Sequence, residues 1–251
     1  MVAARKNDQI ILLSNHRQGR VGCGTGTALA SDAAEAKPKW DTSAGLGFTL
    51  TQGNSETVLA SANVETKGNW NDYAVTLGAT ATYGEQRSVK NNEVYNFFGQ
   101  YDRKVSDRFY VFGRADYLHD AIADIEYRVK LSPGFGWHVI KQERMTLDAE
   151  AGPGYVFQKL GSVSDGFATL RIGDRFSYKI SKTARLWQSA EFVPSVEDFS
   201  NYIVTAELGV EAQLTEKMSL RSVLQDNYTA KPAIGRKAND IRLITGVNYK
   251  F

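Results

Sequence analysis

Hydrophobic and polar residues alternate along this chain from Trp40 almost to its end. The clearest example is Glu126–Gln158, where two long segments of period two are joined by a short polar turn. Leu131, Phe135 and Trp137 share one face of the first segment, and the opposite face carries charges and glycines. Each apolar face is long enough to cross a hydrocarbon layer, for which about 9–11 tilted residues suffice. The pattern therefore predicts strands with a lipid-facing side and a lumen-facing side.

Twelve such segments follow one another between residues 40 and 251. They predict an all-β fold, one 12-stranded antiparallel transmembrane β-barrel of the outer-membrane type, whose even strand number places both termini on one side. Short turns are expected on that side, near residues 68–72, 105–107, 141–143, 180–183 and 214–217. Mostly longer links are expected on the other side, at 53–55, 85–92, 119–124, 159–165, 197–201 and 229–239. Asp174 falls on the predicted lipid face, which the alternation does not explain, and a bulge near it would turn it into the lumen.

Composition limits the alternatives to this barrel. The 251 residues suffice for one large all-β domain or two small ones, and a single Cys excludes a disulfide framework. The mean hydropathy of -0.36 is too polar for a helical membrane protein but suits a barrel, in which only alternate residues meet lipid. The net charge of +2 gives no indication of a nucleic-acid partner, and we expect none.

Residues 1–39 lie outside the alternating pattern. Thr27–Ala30 resembles a small-residue cleavage site, so we interpret this region as an N-terminal tail or an imperfect or misassigned presequence, the remnant of a signal peptide. Cys23 lacks the preceding apolar run of a lipoprotein site. The barrel domain is then 40–251.

Several motifs in the barrel resemble a known family. Leu131–Trp137 (LSPGFGW), the run LDAEAGPGYVF that starts at Leu147, and Gly45–Thr57 (GLGFTLTQGNSET) resemble the YdiY-like salt-induced outer-membrane protein family. The chain end, Tyr249 to Phe251, resembles the aromatic signal that delivers barrels to the outer-membrane assembly machinery. The resemblance covers Trp40 to Phe251. It implies a bacterial outer-membrane location and a link to salt or osmotic response, and it implies no reaction.

Alternation places charges of both signs on the lumen side. The candidate pore-lining residues are Arg114, Asp116, Arg128, Lys130, Asp148, Glu150, Arg171, Arg175, Arg185, Glu191, Glu207, Glu211, Arg221 and Arg242. Twelve strands enclose less space than the 16 to 18 that leave an open aqueous channel. Two interpretations remain open: ion pairs that partly plug the lumen, or a narrow pore whose arginines favour small anions.

Other functions have weaker support. A hydrolase needs a nucleophile beside a base, and the barrel offers only His119 and His138, of which His119 lies near Asp116, Asp120 and Asp124. We therefore predict a protein without catalytic, cofactor or metal sites. The basic last loop (Lys231, Arg236, Lys237) could contact lipopolysaccharide phosphates. The expected partners are outer-membrane lipid, lipopolysaccharide and the assembly machinery, and the expected state is a monomer.

Overall fold

Alternating segments become strands wherever the structure describes the chain. The computed structural model describes residues 39–52, 57–86 and 89–251. Within these residues the chain forms twelve β-strands: β1 Lys39–Gln52, β2 Thr57–Asn69, β3 Tyr73–Gln86, β4 Val89–Lys104, β5 Phe109–Asp120, β6 Ile125–Lys141, β7 Met145–Leu160, β8 Val163–Lys179, β9 Ala184–Pro194, β10 Tyr202–Gln213, β11 Met218–Thr229 and β12 Asn239–Lys250. The predicted strand number is confirmed.

The strands form one closed barrel. Each strand pairs antiparallel with its neighbours in sequence, and β1 closes the ring against β12, from Ser43 opposite Lys250 to Gln52 opposite Ile241. Closure leaves no strand edge, so every spanning backbone donor and acceptor can find a partner without water. The predicted fold class is confirmed.

The two faces of each strand differ as the alternation predicts. Large apolar side chains on the outer face are highly exposed, for example Leu46 at 73% and Phe135 at 71%. Tyr73 stacks on Tyr101, and Tyr202 stacks on Tyr228, so that aromatic pairs lie near opposite ends of the strands. Apolar surface bounded by aromatic residues is the exterior that a bilayer favours.

The connections differ partly from the prediction. At the end where β1 begins and β12 ends, which we call the terminal side, the turns are short, with residues 70–72, 105–108, 142–144, 180–183 and 214–217 between strands. At the opposite end, which we call the far end, 195–201 and 230–238 are long, but 121–124 and 161–162 are tight turns. The prediction of longer loops at 119–124 and 159–165 is wrong, because the flanking strands continue to pair almost up to the turns. Leu160 lies opposite Val163, and the turn between them is tight because Gly161 adopts a φ of 57°.

Two local predictions are also wrong. The pairing of β8 runs without a register shift past Asp174, which faces outward between Ala149 and Ala190, so the expected bulge is not there. A bulge instead lies between Ile125 and Tyr127. It turns Ile125 inward, where it is buried, and leaves Glu126, which the alternation had placed in the lumen, at the exposed rim in an ion pair with Lys159.

Some predictions fall on residues outside the described ranges. These are the interpretation of residues 1–38 as a tail or presequence, the site at Cys23 and the first hairpin turn at Gly53 to Ser55. Within the described ranges, no helix is both long and apolar enough to cross a membrane.

Candidate functional site

The inner wall of the barrel carries aromatic rings that lie on glycines of the neighbouring strand. Phe98 lies opposite Gly78, and Trp187 lies opposite Gly209. A Cβ atom added to Gly209 would come within 2.0 Å of the indole, and one on Gly78 within 2.1 Å of the phenyl ring. The missing side chains let these rings lie flat against the wall rather than fill the lumen.

Arginine side chains form the next layer on these rings. The guanidinium to ring-centroid distances are 4.8 Å for Arg114 over Phe98, 5.3 Å for Arg171 over Phe112, 5.1 Å for Arg185 over Trp187 and 4.6 Å for Arg221 over Trp187. All lie within the roughly 6 Å at which a cation is attracted to a ring face. Glycine, ring and guanidinium thus stack from the wall inward, which holds the arginines in fixed positions.

Glu150 on β7 is the centre of the first ion-pair network. Its Oε1 accepts hydrogen bonds from Tyr110 Oη at 2.8 Å and Gln100 Nε2 at 3.0 Å, and it pairs with Arg175. Its Oε2 accepts from Arg171 Nη1 at 2.8 Å. The carboxylate is almost fully buried, and these four donors compensate for its lost hydration.

Glu191 on β9 extends this network around the wall. It pairs with Lys130 and accepts from Arg171 Nε at 2.7 Å. Arg114 and Asp116 form a forked pair on β5, with Nη2 to Oδ1 at 2.6 Å and Nε to Oδ2 at 3.0 Å. The network therefore connects β5 to β9 along one side of the lumen.

A second network surrounds Trp187. The indole Nε1 donates to Glu207 Oε1 at 2.6 Å, and Arg185 Nη2 donates to Glu211 Oε2 at 2.6 Å. Arg221 is held more loosely, with 3.6 Å between its Nη2 and Glu207 Oε1. In this network the positive and negative side chains lie close together, so their electrostatic fields largely cancel at longer distances.

Two polar contacts cross the lumen near the far end. Asp120 on β5 pairs with Arg242 on β12, and Arg128 on β6 donates from Nη1 to Thr229 Oγ1 on β11 at 3.1 Å. Neither pair of strands is adjacent in the sheet. Because Asp120 and Arg128 are buried, these contacts span an interior that water scarcely reaches.

Apolar side chains complete this closure, which we call the far-end cap. The buried cluster consists of Val156, Phe167, Val193 and Ile203, from four consecutive strands. Ala233 of the last loop is 6% exposed, which shows that the loop folds down onto the barrel mouth. Inward apolar residues thus cover part of this end among the described residues, whereas the sequence had indicated polar walls throughout.

One cavity of about 910 Å³ extends from the turn at 70–72 to the loop at 230–238. Thirteen of the fourteen predicted pore-lining residues border it, and the exception is Glu150, buried behind its partners. Asp148 lies within 2.6 Å of His138 Nδ1. The role of these residues in permeation stays a prediction.

Sequence reasoning missed several residues that organise the lumen. Gln100, Tyr110 and Gln158 hold the charged groups in place, and period-two alternation could have assigned all three to the inner face. Asp120 was placed with His119 in an outer cluster. The structure separates them: His119 faces outward, stacked on Tyr95, while Asp120 faces the lumen. In the described part of the chain, no group of His, Cys, Asp and Glu could hold a metal ion.

The long far-end loops are tied to each other. Lys231 of the last loop pairs with Asp198 of 195–201. Hydrogen bonds from Lys231 and Ser200 lower the pKa of Asp198 from 3.8 to about 2. Asp198 therefore keeps the charge that pairs with Lys231 at ordinary pH.

The C-terminal aromatic residues are exposed at the end of β12. Tyr249 faces outward near the end of β12, and its ring centroid lies 5.2 Å from that of Phe251. Phe251, which is 74% exposed, donates its backbone N–H to the carbonyl of Thr42 at 3.0 Å. The terminal strand is thus fully paired while its aromatic side chains stay accessible.

Solved structures of outer-membrane channels share the fold. A NanC porin superposes with a TM-score of 0.55 at 11% identity, over 84% of this chain and 100% of the porin. A KdgM porin gives 0.50 at 10% identity, over 83% and 99%. The COG4313 outer membrane channel of Pseudomonas putida F1 gives 0.52 at 10% identity, over 89% and 100%. At these identities the likeness shows the fold alone.

Comparison of the amino-acid sequence with known proteins and family models identifies the family of the chain. No curated protein matches the chain. A family model described as "Protein of unknown function, DUF481" matches residues 44–251, the same region in which the motifs at Leu131–Trp137 and Leu147 predicted a barrel family. The chain therefore belongs to this family, DUF481.

Proposed function

We propose that the protein is a narrow channel for small solutes or ions in the outer membrane of Gram-negative bacteria, closed at its far end in the conformation described. The observation that carries this proposal is the cavity that extends from the terminal side to the last loop. A barrel built only as a scaffold has no need of a continuous internal space of about 910 Å³.

The closure is a property of one short segment. Below the far-end cap, the aromatic rings lie flat on the wall and the charges pair along it, so the centre stays accessible. At the cap, Ala233 and the cross-lumen pair of Asp120 with Arg242 fill the mouth. Movement of the loop at 230–238 would connect the cavity to the far side, and the link to salt or osmotic response rests on the family resemblance.

Adjacent loop residues provide a matched test. Ala233 is 6% exposed, whereas Ile234 is 97% exposed. Ala233→Glu places a charge under the cap and is expected to displace the loop, while Ile234→Glu adds the same charge in solvent. In planar lipid bilayers, we expect small or rare current steps from the wild type and from Ile234→Glu, and larger, more frequent steps from Ala233→Glu. No current above the lipid baseline from any of the three proteins contradicts the channel.

A structural barrel with a plugged lumen is the second candidate. It is favoured by the paired lumen charges and the buried cap. The same recordings distinguish it, since a scaffold gives no current even after the cap is displaced. Contact of the last loop with lipopolysaccharide phosphates stays a weaker proposal, because Lys231 is already paired with Asp198.

Two further proposals concern chemistry and assembly. We assign no catalysis to the barrel: His119 packs on Tyr95 outside the lumen and His138 pairs with Asp148 inside it. The exposed Tyr249 and Phe251 support recognition of β12 by the barrel assembly machinery.

A further inference from the structure

Arg128 is a buried cation that the ion-pair networks leave incompletely satisfied. Its side chain donates from Nε to Gln158 Oε1 at 2.8 Å and from Nη1 to Thr229 Oγ1 at 3.1 Å. Both acceptors are neutral. Arg128 is only 4% exposed, and its Nη2 is buried without a hydrogen-bond partner. A buried guanidinium that keeps an unused donor carries a large desolvation cost unless an anion compensates it.

Asp120, a candidate counter-ion for Arg128 within the protein, is engaged elsewhere. It pairs through Oδ2 with Arg242, and its Oδ1 accepts the backbone N–H groups of Ile122 at 3.1 Å and Ala123 at 2.9 Å. Asp120 therefore directs its carboxylate to these three groups rather than to Arg128.

The charges beneath the far-end cap do not cancel. Arg128 and Arg242 contribute two positive charges and Asp120 one negative charge, which leaves one positive charge among the three. Lys237 and Asp240 also border this part of the cavity and carry one charge of each sign, so they leave the sum unchanged. Elsewhere in the lumen, Arg171 and Arg175 each contact a carboxylate directly.

We infer that Arg128 forms a binding site for one small monovalent anion, of the size of chloride or formate, directly beneath the far-end cap. Arg128 borders the cavity, so an anion that enters from the terminal side approaches its guanidinium without passing the cap. Contact with the buried Nη2 then needs only a local shift of this side chain. The site is small because apolar residues bound it, with Ile125 and Ile203 buried at the same end. This inference deepens the proposed channel and rests on it for the route of the anion, since it makes small anions the solute class.

Equilibrium binding tests the site without any current. The full chain, folded in detergent micelles or nanodiscs, is titrated with sodium chloride and observed by chloride-35 NMR, whose line broadens when chloride exchanges with a protein site. We expect saturable broadening that sodium formate removes by competition and that sodium gluconate, too large for the site, does not. The absence of saturable broadening in the wild type overturns the inference, whether or not the protein conducts.

Substitutions assign the binding to Arg128. Arg128→Gln is expected to abolish the saturable broadening of the chloride-35 line. Arg128→Lys keeps the charge but loses the forked guanidinium, and it is expected to weaken chloride binding at least tenfold. Arg108→Gln removes the same charge from an exposed turn and serves as the matched control. Heat-modifiable migration shows whether each variant is folded, and if Arg128→Gln does not fold, Arg128→Lys decides. Wild-type binding by a folded Arg128 variant overturns the assignment. Chloride binding by a protein that conducts no current would instead contradict the proposed channel and support the anion site at Arg128.

Discussion

Asp120 and Arg242 form an ion pair across the lumen although 122 residues separate them in sequence and their strands are not neighbours in the sheet. Both side chains are almost fully buried, at 5% and 11% exposure. The pair therefore ties opposite sides of the far end together. Because no strand pairing enforces the contact, its disruption tests the cap separately from the barrel.

Removing one partner of this pair is expected to open the cap and to destabilise the barrel. Arg242→Gln leaves Asp120 buried without its counter-charge, which costs about 3–5 kcal/mol in free energy of unfolding. Asp120→Asn with Arg242→Gln removes both charges and is expected to recover part of that loss. Urea unfolding in lipid vesicles measures the free energies, and strict additivity of the two single substitutions would show that the residues do not interact.

The aromatic stack on β9 and β10 predicts a position-specific effect of a single methyl group. Gly209→Ala places a Cβ at 2.0 Å from the Trp187 ring and must displace the indole together with the guanidinium groups of Arg185 and Arg221. We expect a loss of about 1–3 kcal/mol in the free energy of unfolding. Gly113→Ala is the control, since an added Cβ there meets nothing within 4 Å.

For Gly113→Ala we expect no loss, and a gain of up to about 1 kcal/mol from the smaller backbone entropy of alanine in the unfolded chain. Intrinsic tryptophan fluorescence provides a second readout, because only the change at Gly209 moves the Trp187 indole. Equal effects of the two substitutions would contradict the stacked arrangement.

Replacing Asp174 with an apolar residue is expected to stabilise the barrel. Asp174 faces outward between Ala149 and Ala190, on the face that we expect to contact acyl chains when the barrel lies in a bilayer. Asp174→Leu is therefore expected to raise the free energy of unfolding in vesicles by up to about 2 kcal/mol. Asp148→Leu, inside the lumen, is expected to lower it, because it removes the partner of His138. A loss of stability from Asp174→Leu would show that this face contacts something other than acyl chains.

The ion pair between the far-end loops predicts a pH dependence with a defined sign. The pKa of Asp198 is lowered to about 2 from 3.8, so the contribution of this carboxylate to stability is fully present above pH 3.8 and is lost as the pH falls through 2. Carbon-13 NMR of the Asp198 carboxyl follows the titration. Lys231→Met removes the first cause of the shift and is expected to return the midpoint towards 3.8. An unchanged midpoint in this variant would exclude the pairing of the two loops.

The sequence predicted those features of the barrel that depend on local periodicity. Alternation along β6, with Leu131 and Phe135 outward, was sufficient because lipid and lumen impose opposite polarity on successive residues. It failed at Glu126 since one inserted residue in a bulge reverses every side chain on one side of it. Such an insertion leaves no mark in the polarity pattern here, because Ile125, Glu126 and Tyr127 still alternate between apolar and charged residues.

The lumen was less predictable than the wall. The pairing of Asp120 with Arg242 depends on the diameter and shear of the closed barrel, which no local pattern contains. The apolar far-end cap was missed for a related reason: Val193 and Ile203 lie at inward positions, where the general pattern predicts polar residues. Only in the folded barrel do these two residues meet Val156 and Phe167 of β7 and β8 and form a buried cluster.

Collision of spin labels with oxygen tests most directly whether the two faces of the strands meet lipid and lumen. A nitroxide is attached in turn to single cysteines at positions 129–133, 135 and 137 of β6, in a Cys23→Ser background, and the folded protein is placed in lipid vesicles. Positions 134 and 136 are left as glycine because an added Cβ there would clash with neighbouring atoms. Our account predicts high oxygen collision rates at 129, 131, 133, 135 and 137. At 130 and 132 it predicts either high collision rates with a water-soluble nickel chelate or low rates with both reagents. Uniform contact with the nickel chelate at all seven positions would contradict it.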